Sequence, residues 1–232
     1  GFTAKGSDDC SPITFDSGSS GAKWYSGVDR AKAEPQRPAF AVSPCDKDTV
    51  NKGIVKHDTV VDPEIGILGD DDTTPGTVET PSFLDNANRA RAYLQALQDK
   101  AESLGRYFKP EPGKARTIAD STNSGMFTFV DGDCTLTSGS GVLVVTGTLT
   151  MQGNTDFKGI ILVLGEGKLI RDGGNGDIFG GITIAAFDRT GGGFTAPTFV
   201  TNGGGNSTIQ YDSSAINMGI ASGTNVSGIR EF

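Results

Sequence analysis

Glycine recurs at every sixth residue in the middle of this chain, and that spacing limits what the chain can fold into. The glycines are Gly141, Gly147, Gly153, Gly159 and Gly165. Between them, two fixed positions of the blocks are apolar, with Thr155 as the exception, as in short β-strands that turn one face to a core. A glycine at a fixed offset supplies the positive φ or the close backbone approach that a tight corner needs. The pattern therefore predicts a chain that winds into a stack of short strands.

The same six-residue frame predicts which side chains lie inside the stack. The fourth position of successive blocks is apolar throughout, and we expect these residues in the core: Val145, Met151, Phe157, Val163 and Leu169. The second position, two residues earlier, should point to the same side: Leu143, Leu149, Thr155 and Ile161. Nothing in these blocks is typical of catalysis, so they predict a scaffold.

Composition and charge narrow the class of protein. The 232 residues include 34 glycines and only 35% hydrophobic residues, which suits many short strands and turns better than a helical bundle. The net charge of −8 argues against nucleic acid or anionic lipid as a partner, because binding to either relies on a basic patch. The longest apolar run is Ile160–Leu164, so we expect no membrane span.

Three regions follow from the local patterns. Residues 1–81 are rich in proline and Ser-Gly runs and predict a loop-rich N-terminal arm with a few short strands. Residues 82–113 predict an amphipathic helix and a linker, with a capping box at Ser82 and Asp85 and a stop at Gly105. Residues 114–232 predict a glycine-rich β region that ends in a short helix near residues 212–221 and a last strand at Val226–Phe232. The fold class is mainly β: a short β-solenoid, like a β-helix, flanked by one long helix.

The three cysteines match no metal-ligand spacing. We favour a disulfide between Cys10 and Cys45, which would close a loop of low intrinsic structure and leave Cys134 unpaired. Three free thiols are the alternative.

Acidic residues cluster in glycine-rich turns. Asp70-Asp71-Asp72 is interpreted as a solvated turn, although such a loop can also hold Ca²⁺. The pairs Asp131/Asp133 and Asp172/Asp177 flank glycines as in tight turns, where an Asp side chain bonds its own backbone. Binding of a metal is the alternative there.

Candidate catalytic groups are sparse. His57 is the only histidine, and no serine or cysteine nucleophile accompanies it. Several charged residues lie close together in sequence near the glycine frame, and we interpret them as a solvated face in preference to an active site. They are Asp156, Lys158, Glu166, Lys168 and Arg171. We expect no catalytic residue, no cofactor and no metal.

Two further patterns concern the surface and the core. The triplets Thr135-Leu136-Thr137 and Thr148-Leu149-Thr150 are similar to the threonine rows of ice-binding solenoids but are too few for a flat array. We expect the large aromatic residues in the core: Trp24, Tyr25, Phe40, Phe127, Phe129, Phe179, Phe187, Phe194 and Phe199.

The β region resembles a known family. The run from Gly141 to Asp188 (GVLVVTGTLTMQGNTDFKGIILVLGEGKLIRDGGNGDIFGGITIAAFD), the later GGGNSTIQYDSSAI and the terminal IREF are similar to the C-terminal region of PilX-like type IV pilus assembly proteins. The resemblance covers about two thirds of the chain. It implies an extracellular or cell-surface protein of a bacterium, with other pilus subunits as partners. The family also implies an N-terminal hydrophobic helix, which these residues do not include, and it implies no catalytic residue here.

These observations together predict a non-enzymatic structural or interaction protein, a component or accessory of a type IV pilus in the manner of a minor pilin. It would act by surface contacts and adhesion to other subunits, to a cell surface or to a glycan. A secreted β-helix that binds or cleaves carbohydrate is the alternative. An ice-adsorbing solenoid is a third possibility.

Overall fold

The computed structural model describes residues 1–18, 23–56, 60–62, 65–69, 77–109, 113–119 and 125–222. Three α-helices lie among them: α1 (Lys47–Lys56), α2 (Ala87–Ser103) and α3 (Ser213–Ser222). The strands are β1 (Phe2–Lys5), β2 (Thr14–Asp16), β3 (Lys23–Ser26), β4 (Phe40–Val42), β5 (Val60–Asp62), β6 (Ile65–Gly69), β7 (Thr77–Glu79), β8 (Tyr107–Phe108), β9 (Arg116–Ile118), β10 (Met126–Val130), β11 (Cys134–Val145), β12 (Thr148–Gly165), β13 (Lys168–Arg171), β14 (Ile178–Phe187), β15 (Phe194–Thr195), β16 (Thr198–Thr201) and β17 (Ser207–Gln210).

The strands form one large sheet in which the described pairings are parallel, apart from the short β14–β15 hairpin. Its strands are arranged in three rows of successively paired strands, which we call ladders. Ladder I is β9–β11–β12–β13–β16–β2. Ladder II is β11–β12–β14–β17–β3–β5. Ladder III is β8–β10–β11–β12–β14–β1–β4–β6–β7. The long strands β11 and β12 each cross all three ladders, so one segment of chain supplies one strand to each.

The pairing explains the six-residue glycine frame. Gly141 pairs with Gly159 on the neighbouring strand, 18 residues later in the sequence. Gly147 and Gly153 lie in the stretch of chain that connects these two paired residues. Gly159 in turn lies beside Gly180, after a slightly longer stretch of chain. One repeat of the frame is therefore the length of chain on one ladder, and about three repeats separate neighbouring strands. Gly141, Gly159 and Gly180 all have positive φ (106°, 141° and 135°) and stack at the corner between ladders II and III.

Residues of the N-terminal region extend the same sheet. In ladder III, β1 lies between β14 and β4, so that Phe2 pairs with both Ile182 and Phe40. The Gly1 nitrogen donates to the Gly180 carbonyl oxygen at 2.8 Å and so joins the start of the chain to the stacked glycines. The N-terminal strands β1–β7 thus stack on the strands of the β region, and the sequence did not predict this arrangement.

The core positions read from the frame are buried inside the three ladders. Val145, Phe157, Val163 and Leu169 are fully inaccessible, and Met151 nearly so. They share one cluster with aromatic residues from the N-terminal strands, including Phe2, Phe40 and Tyr25. One continuous apolar interior therefore runs from β9 to β6.

The outer side of ladder III is also apolar, and helices cover it. Phe129, Val144, Leu162 and Ala185 alternate with the inward residues and pack against α2 and α3. The contacting residues of α2 and the turn before it are Phe83, Leu84, Ala87, Ala90, Tyr93, Leu94, Leu97 and Ala101. This second layer explains why the parts of β10, β11, β12 and β14 that lie in ladder III are nearly continuous runs of apolar residues.

Helix α2 is shorter than the sequence predicts. Ser82–Leu84 forms one turn of 3₁₀-helix, and α2 itself has 17 residues with Asn86 as its N-cap. The Asn86 side chain accepts the Arg89 amide at 3.0 Å, so the predicted capping box at Ser82 was wrong. Gly105 ends the helix with φ of 64°, and the Arg106 amide bonds the Ala101 carbonyl at 2.8 Å, as in a Schellman motif.

Candidate binding faces

The outer side of ladder I, from β9 to β16, is a regular surface, and the described helix that contacts this ladder is α1, which lies against the last strand β2. Its residues come from strand positions that alternate with the buried core row. The cross-strand register places Thr117 beside Thr135, Thr135 beside Thr150, Thr150 beside Ile170 and Ile170 beside Val200. We call this row of five β-branched residues the threonine row. It forms because β-branched side chains fit a pleated surface that is half exposed.

A second outward row runs beside the threonine row. It contains Thr148, Lys168, Thr198 and Thr14 in register. The Thr148 hydroxyl donates to the Glu166 carboxylate at 3.3 Å, and Lys168 is exposed. Lys168 interrupts the hydroxyl groups of this row, and the Asp16 carboxylate lies beside Val200 at the end of the threonine row. The surface therefore combines apolar methyls and hydroxyls with one cation and the carboxylates of Glu166 and Asp16.

Polar side chains stack at the corner between ladders I and II. The Asn154 side chain accepts the Asn175 amide at 3.0 Å, and the Asn175 side chain accepts the Asn206 amide at 2.9 Å. Each asparagine thereby joins one pass of the chain to the next and satisfies a backbone donor that the strands leave open.

Ladder II carries a parallel row of carboxylates. Asp156 accepts the Asp177 amide at 2.9 Å, and Asp177 accepts the Thr208 amide at 3.0 Å. On the next strand of ladder II, Trp24 pairs with Thr208 and so continues this row. Its side chain is 43% exposed. Trp24 was expected in the core, and that prediction was wrong because it occupies the outward position next to the buried Tyr25.

The predicted turn carboxylates stabilise the fold. Asp131 accepts hydrogen bonds from the Tyr107 hydroxyl at 2.6 Å and the Thr146 hydroxyl at 3.0 Å, and it pairs with Arg189. Burial would raise the pKa of Asp131, but these hydrogen bonds and the Arg189 charge lower it below its usual value. Asp133 accepts the Thr148 amide at 2.8 Å. Burial, together with the bond to Asp131, raises the pKa of Tyr107 to about 12.

The other acidic residues that were considered for metal binding do not come together into a site within the described residues. Among the residues that the structure describes, no three His, Cys, Asp or Glu side chains lie close enough to hold a metal ion. Asp172 is exposed and lies apart from the Asp177 hydrogen bonds. Asp70-Asp71-Asp72, His57 and the last strand at Val226–Phe232 lie outside the described residues.

Of the five charged residues near the glycine frame, four are exposed and one is buried. Asp156, Lys158, Glu166 and Lys168 are exposed. Arg171 is only 5% exposed, and its guanidinium lies in the interior between ladders I and II. The signal was present in the sequence, because Arg171 follows the buried Leu169 by two residues and so points to the same side.

The structure joins Cys10 and Cys45 in a disulfide. The bond links the segment after β1 to the 3₁₀ turn Pro44–Asp46 after β4. Cys134 is unpaired and fully buried, and burial raises the pKa of its thiol to about 12. A thiol in this state is a poor nucleophile.

Two buried aspartates were missed by sequence reasoning. Asp29 accepts five hydrogen bonds, among them the Ser213 amide and hydroxyl at the start of α3, both at 2.8 Å. Burial opposes ionisation of Asp29, but these bonds outweigh it and hold its pKa well below the usual range. Asp46 accepts the Ile13 amide at 2.9 Å, and burial raises its pKa. The partner of Asp46 and the Ser213 partner of Asp29 are distant in sequence, so no local pattern marks either residue as buried. The other three bonds of Asp29 come from the nearby Ala31, Ala33 and Glu34 amides.

Comparison with known proteins adds no family. No protein-family profile, no curated protein and no solved structure matches the chain. Within the described residues, no helix is long and apolar enough to cross a membrane.

Proposed function

We propose that this chain is a non-enzymatic structural and interaction protein whose parallel sheet winds as a short β-solenoid. The three ladders support the winding, as does the regular return of the chain from Gly141 to Gly159 and then to Gly180. Long strands that cross all three ladders supply consecutive turns of such a coil.

The observation that carries this function is the uncovered threonine row. Helices cover the outer side of ladder III, whereas ladder I presents Thr117, Thr135, Thr150, Ile170 and Val200 in register on a surface without a described helix. Flat rows of β-branched residues with methyl and hydroxyl groups suit contact with another protein surface, because they offer apolar area at a low cost in side-chain entropy.

We further propose that the partner is a pilus subunit, and that the protein acts as an accessory or minor component of a type IV pilus on a bacterial surface. This part rests on the resemblance of residues 125–232 to PilX-like proteins. The use of Asp131, Asp156 and Asp177 as acceptors for structural hydrogen bonds supports a role in contacts over one in catalysis.

Mass spectrometry of pili sheared from native cells and washed in high salt tests the proposal. Recovery of the chain in constant proportion to the filaments is the expected result. Thr135→Arg should lower its retention about tenfold, because a buried charge at a contact costs more than a kilocalorie per mole. Thr208→Arg on ladder II is the matched control and should be retained. A chain found free in the medium would overturn the pilus assignment.

A second function, binding of a glycan, is favoured by Trp24. Its indole is 43% exposed and adjoins the row of Asp156, Asp177 and Thr208, and an exposed aromatic ring beside polar groups suits stacking on a sugar. A glycan array with the Trp24→Ala variant tests this idea. Met126, which is 44% exposed, provides the matched control Met126→Ala. Binding that survives Trp24→Ala, or no binding by the unaltered protein, counts against it.

A further inference from the structure

One row of inward-facing residues in ladder I changes from apolar to polar along the sheet. Met151, Arg171 and Thr201 occupy equivalent positions on three neighbouring strands. Met151 belongs to the apolar core, whereas Arg171 and Thr201 are both 5% exposed and bring polar atoms inside. A permanent positive charge therefore lies where the preceding strand places a thioether.

The Arg171 guanidinium lacks a counter-charge among the described residues. Its hydrogen bond there is a long one, in which Nη1 donates to the Tyr25 hydroxyl at 3.5 Å. The ion pairs of the described residues do not include Arg171. The sequence between Gly18 and Lys23, Ser-Ser-Gly-Ala, lies outside the described residues and contains no carboxylate side chain. Arginine does not lose its proton, so the charge has to be compensated by something else.

A small polar cavity lies beside this side chain. Its volume is about 10 Å³, and Arg171, Thr155, Thr201 and Ser207 line it. The Thr201 hydroxyl oxygen is buried and has no hydrogen-bond partner within the described residues. Asp172 lies at the edge of the cavity, but its side chain is exposed and makes no ion pair with Arg171. The cavity is thus a positive site with an unsatisfied hydroxyl group.

We propose that this cavity binds one monatomic anion, chloride under ordinary conditions, between the Arg171 guanidinium and the Thr201 hydroxyl. A water molecule would fit the space and satisfy the hydroxyl, but it would leave the buried charge without compensation. An anion satisfies both groups, because it accepts from the guanidinium and from the hydroxyl. A space of this size accommodates one small ion or one water molecule, so a monatomic anion is the ligand that matches it in both size and charge.

Bromide diffraction decides the question on the unaltered protein. Crystals grown in sodium bromide should show an anomalous peak within hydrogen-bonding distance of Arg171 Nη and Thr201 Oγ1. Density without anomalous signal would identify a water molecule and overturn the proposal, as would an empty cavity.

Thermal unfolding provides an independent measurement in solution. The Tm should be about 2–4 °C higher in sodium chloride than in an equal concentration of sodium gluconate, whose anion is too large for the cavity. Arg171→Met, which copies the residue of the neighbouring strand, should abolish that difference. Lys168→Met removes a positive charge from the outer face and should preserve it. Equal Tm values for the unaltered protein in the two salts would contradict stable binding.

Discussion

The carbonyl oxygen of Gly159 occupies the space that a β-carbon on Gly180 would need. Gly180 also has a φ of 135°, a conformation that side chains other than glycine rarely adopt. We therefore expect Gly180→Ala to lower the free energy of unfolding by about 3–5 kcal/mol, as overlap and strain act together. Urea titration measures the change.

Gly191→Ala is the control for that experiment. No atom lies within 4 Å of a β-carbon built on Gly191, so this variant should unfold within about 0.5 kcal/mol of the unaltered protein. Equal losses in the two variants would show that stacked glycines do not set the close approach of neighbouring strands.

Asp177 links two passes of the chain that are 31 residues apart, through its bond to the Thr208 amide. Asp177→Ala leaves that amide without its acceptor and should cost about 1–2 kcal/mol. Asp177→Asn keeps an acceptor oxygen and should cost less. Hydrogen exchange at the Thr208 amide reports the change directly, and faster exchange in the alanine variant alone is the expected result. Unchanged exchange in that variant would be evidence against the link.

Asp29 attaches the segment before β4 to the start of α3, and its contribution should depend on pH. An unfolded aspartate titrates near pH 3.9, and the folded pKa of Asp29 is lower. Its stabilising effect is therefore complete above about pH 5 and is lost as the pH falls through the folded pKa.

Asp29→Asn tests this dependence. At pH 7 the variant should lose about 2–3 kcal/mol, since the amide oxygen accepts fewer of the five bonds than the carboxylate. The difference between variant and unaltered protein should shrink as the pH falls below about 4, measured by urea titration at each pH. A difference that stays constant with pH would rule out the ionised carboxylate as its source.

The disulfide between Cys10 and Cys45 closes a loop with a sequence separation of 35 residues. By the chain-entropy estimate, its removal in a Cys10→Ala/Cys45→Ala variant should cost about 3–4 kcal/mol. Cys134 serves as an internal probe of the transition, because a buried thiol reacts with a thiol reagent only after unfolding. Loss of structure and labelling of Cys134 should therefore coincide; labelling of the folded protein would contradict the burial.

The sequence predicts the interior well where the pattern is local. Alternation places Val145 and Phe157 inside, and it would have placed Arg171 inside too, had the charge not suggested an outward position. The cross-strand neighbours are harder to read, because the stretch of chain between paired residues is much longer for Lys168 and Thr198 than for Gly141 and Gly159. Extra residues at the corners make the spacing between paired residues irregular in the sequence, although the strands remain paired in register within each ladder.

Other features depend on partners far away in the sequence. The strand Phe2–Lys5 is too short to stand out, and it forms because Ile182 and Phe40 flank Phe2 in the sheet. The register that aligns Thr117, Thr135 and Thr150 is likewise set by pairing, so the triplets alone did not predict the threonine row. The start of α2 is decided by the Asn86 side chain, although Ser82 and Asp85 match the same motif.

The place of β1 between β14 and β4 has a consequence for biosynthesis. During translation Phe2 leaves the ribosome long before Ile182, its partner on one side, has been made. The first strands therefore have to remain unpaired along one edge while most of the chain is produced, and the loop that closes when Phe2 meets Ile182 contains most of the sequence. Closing so long a loop predicts that this pairing forms slowly and late, and that the early segment needs protection from aggregation until then.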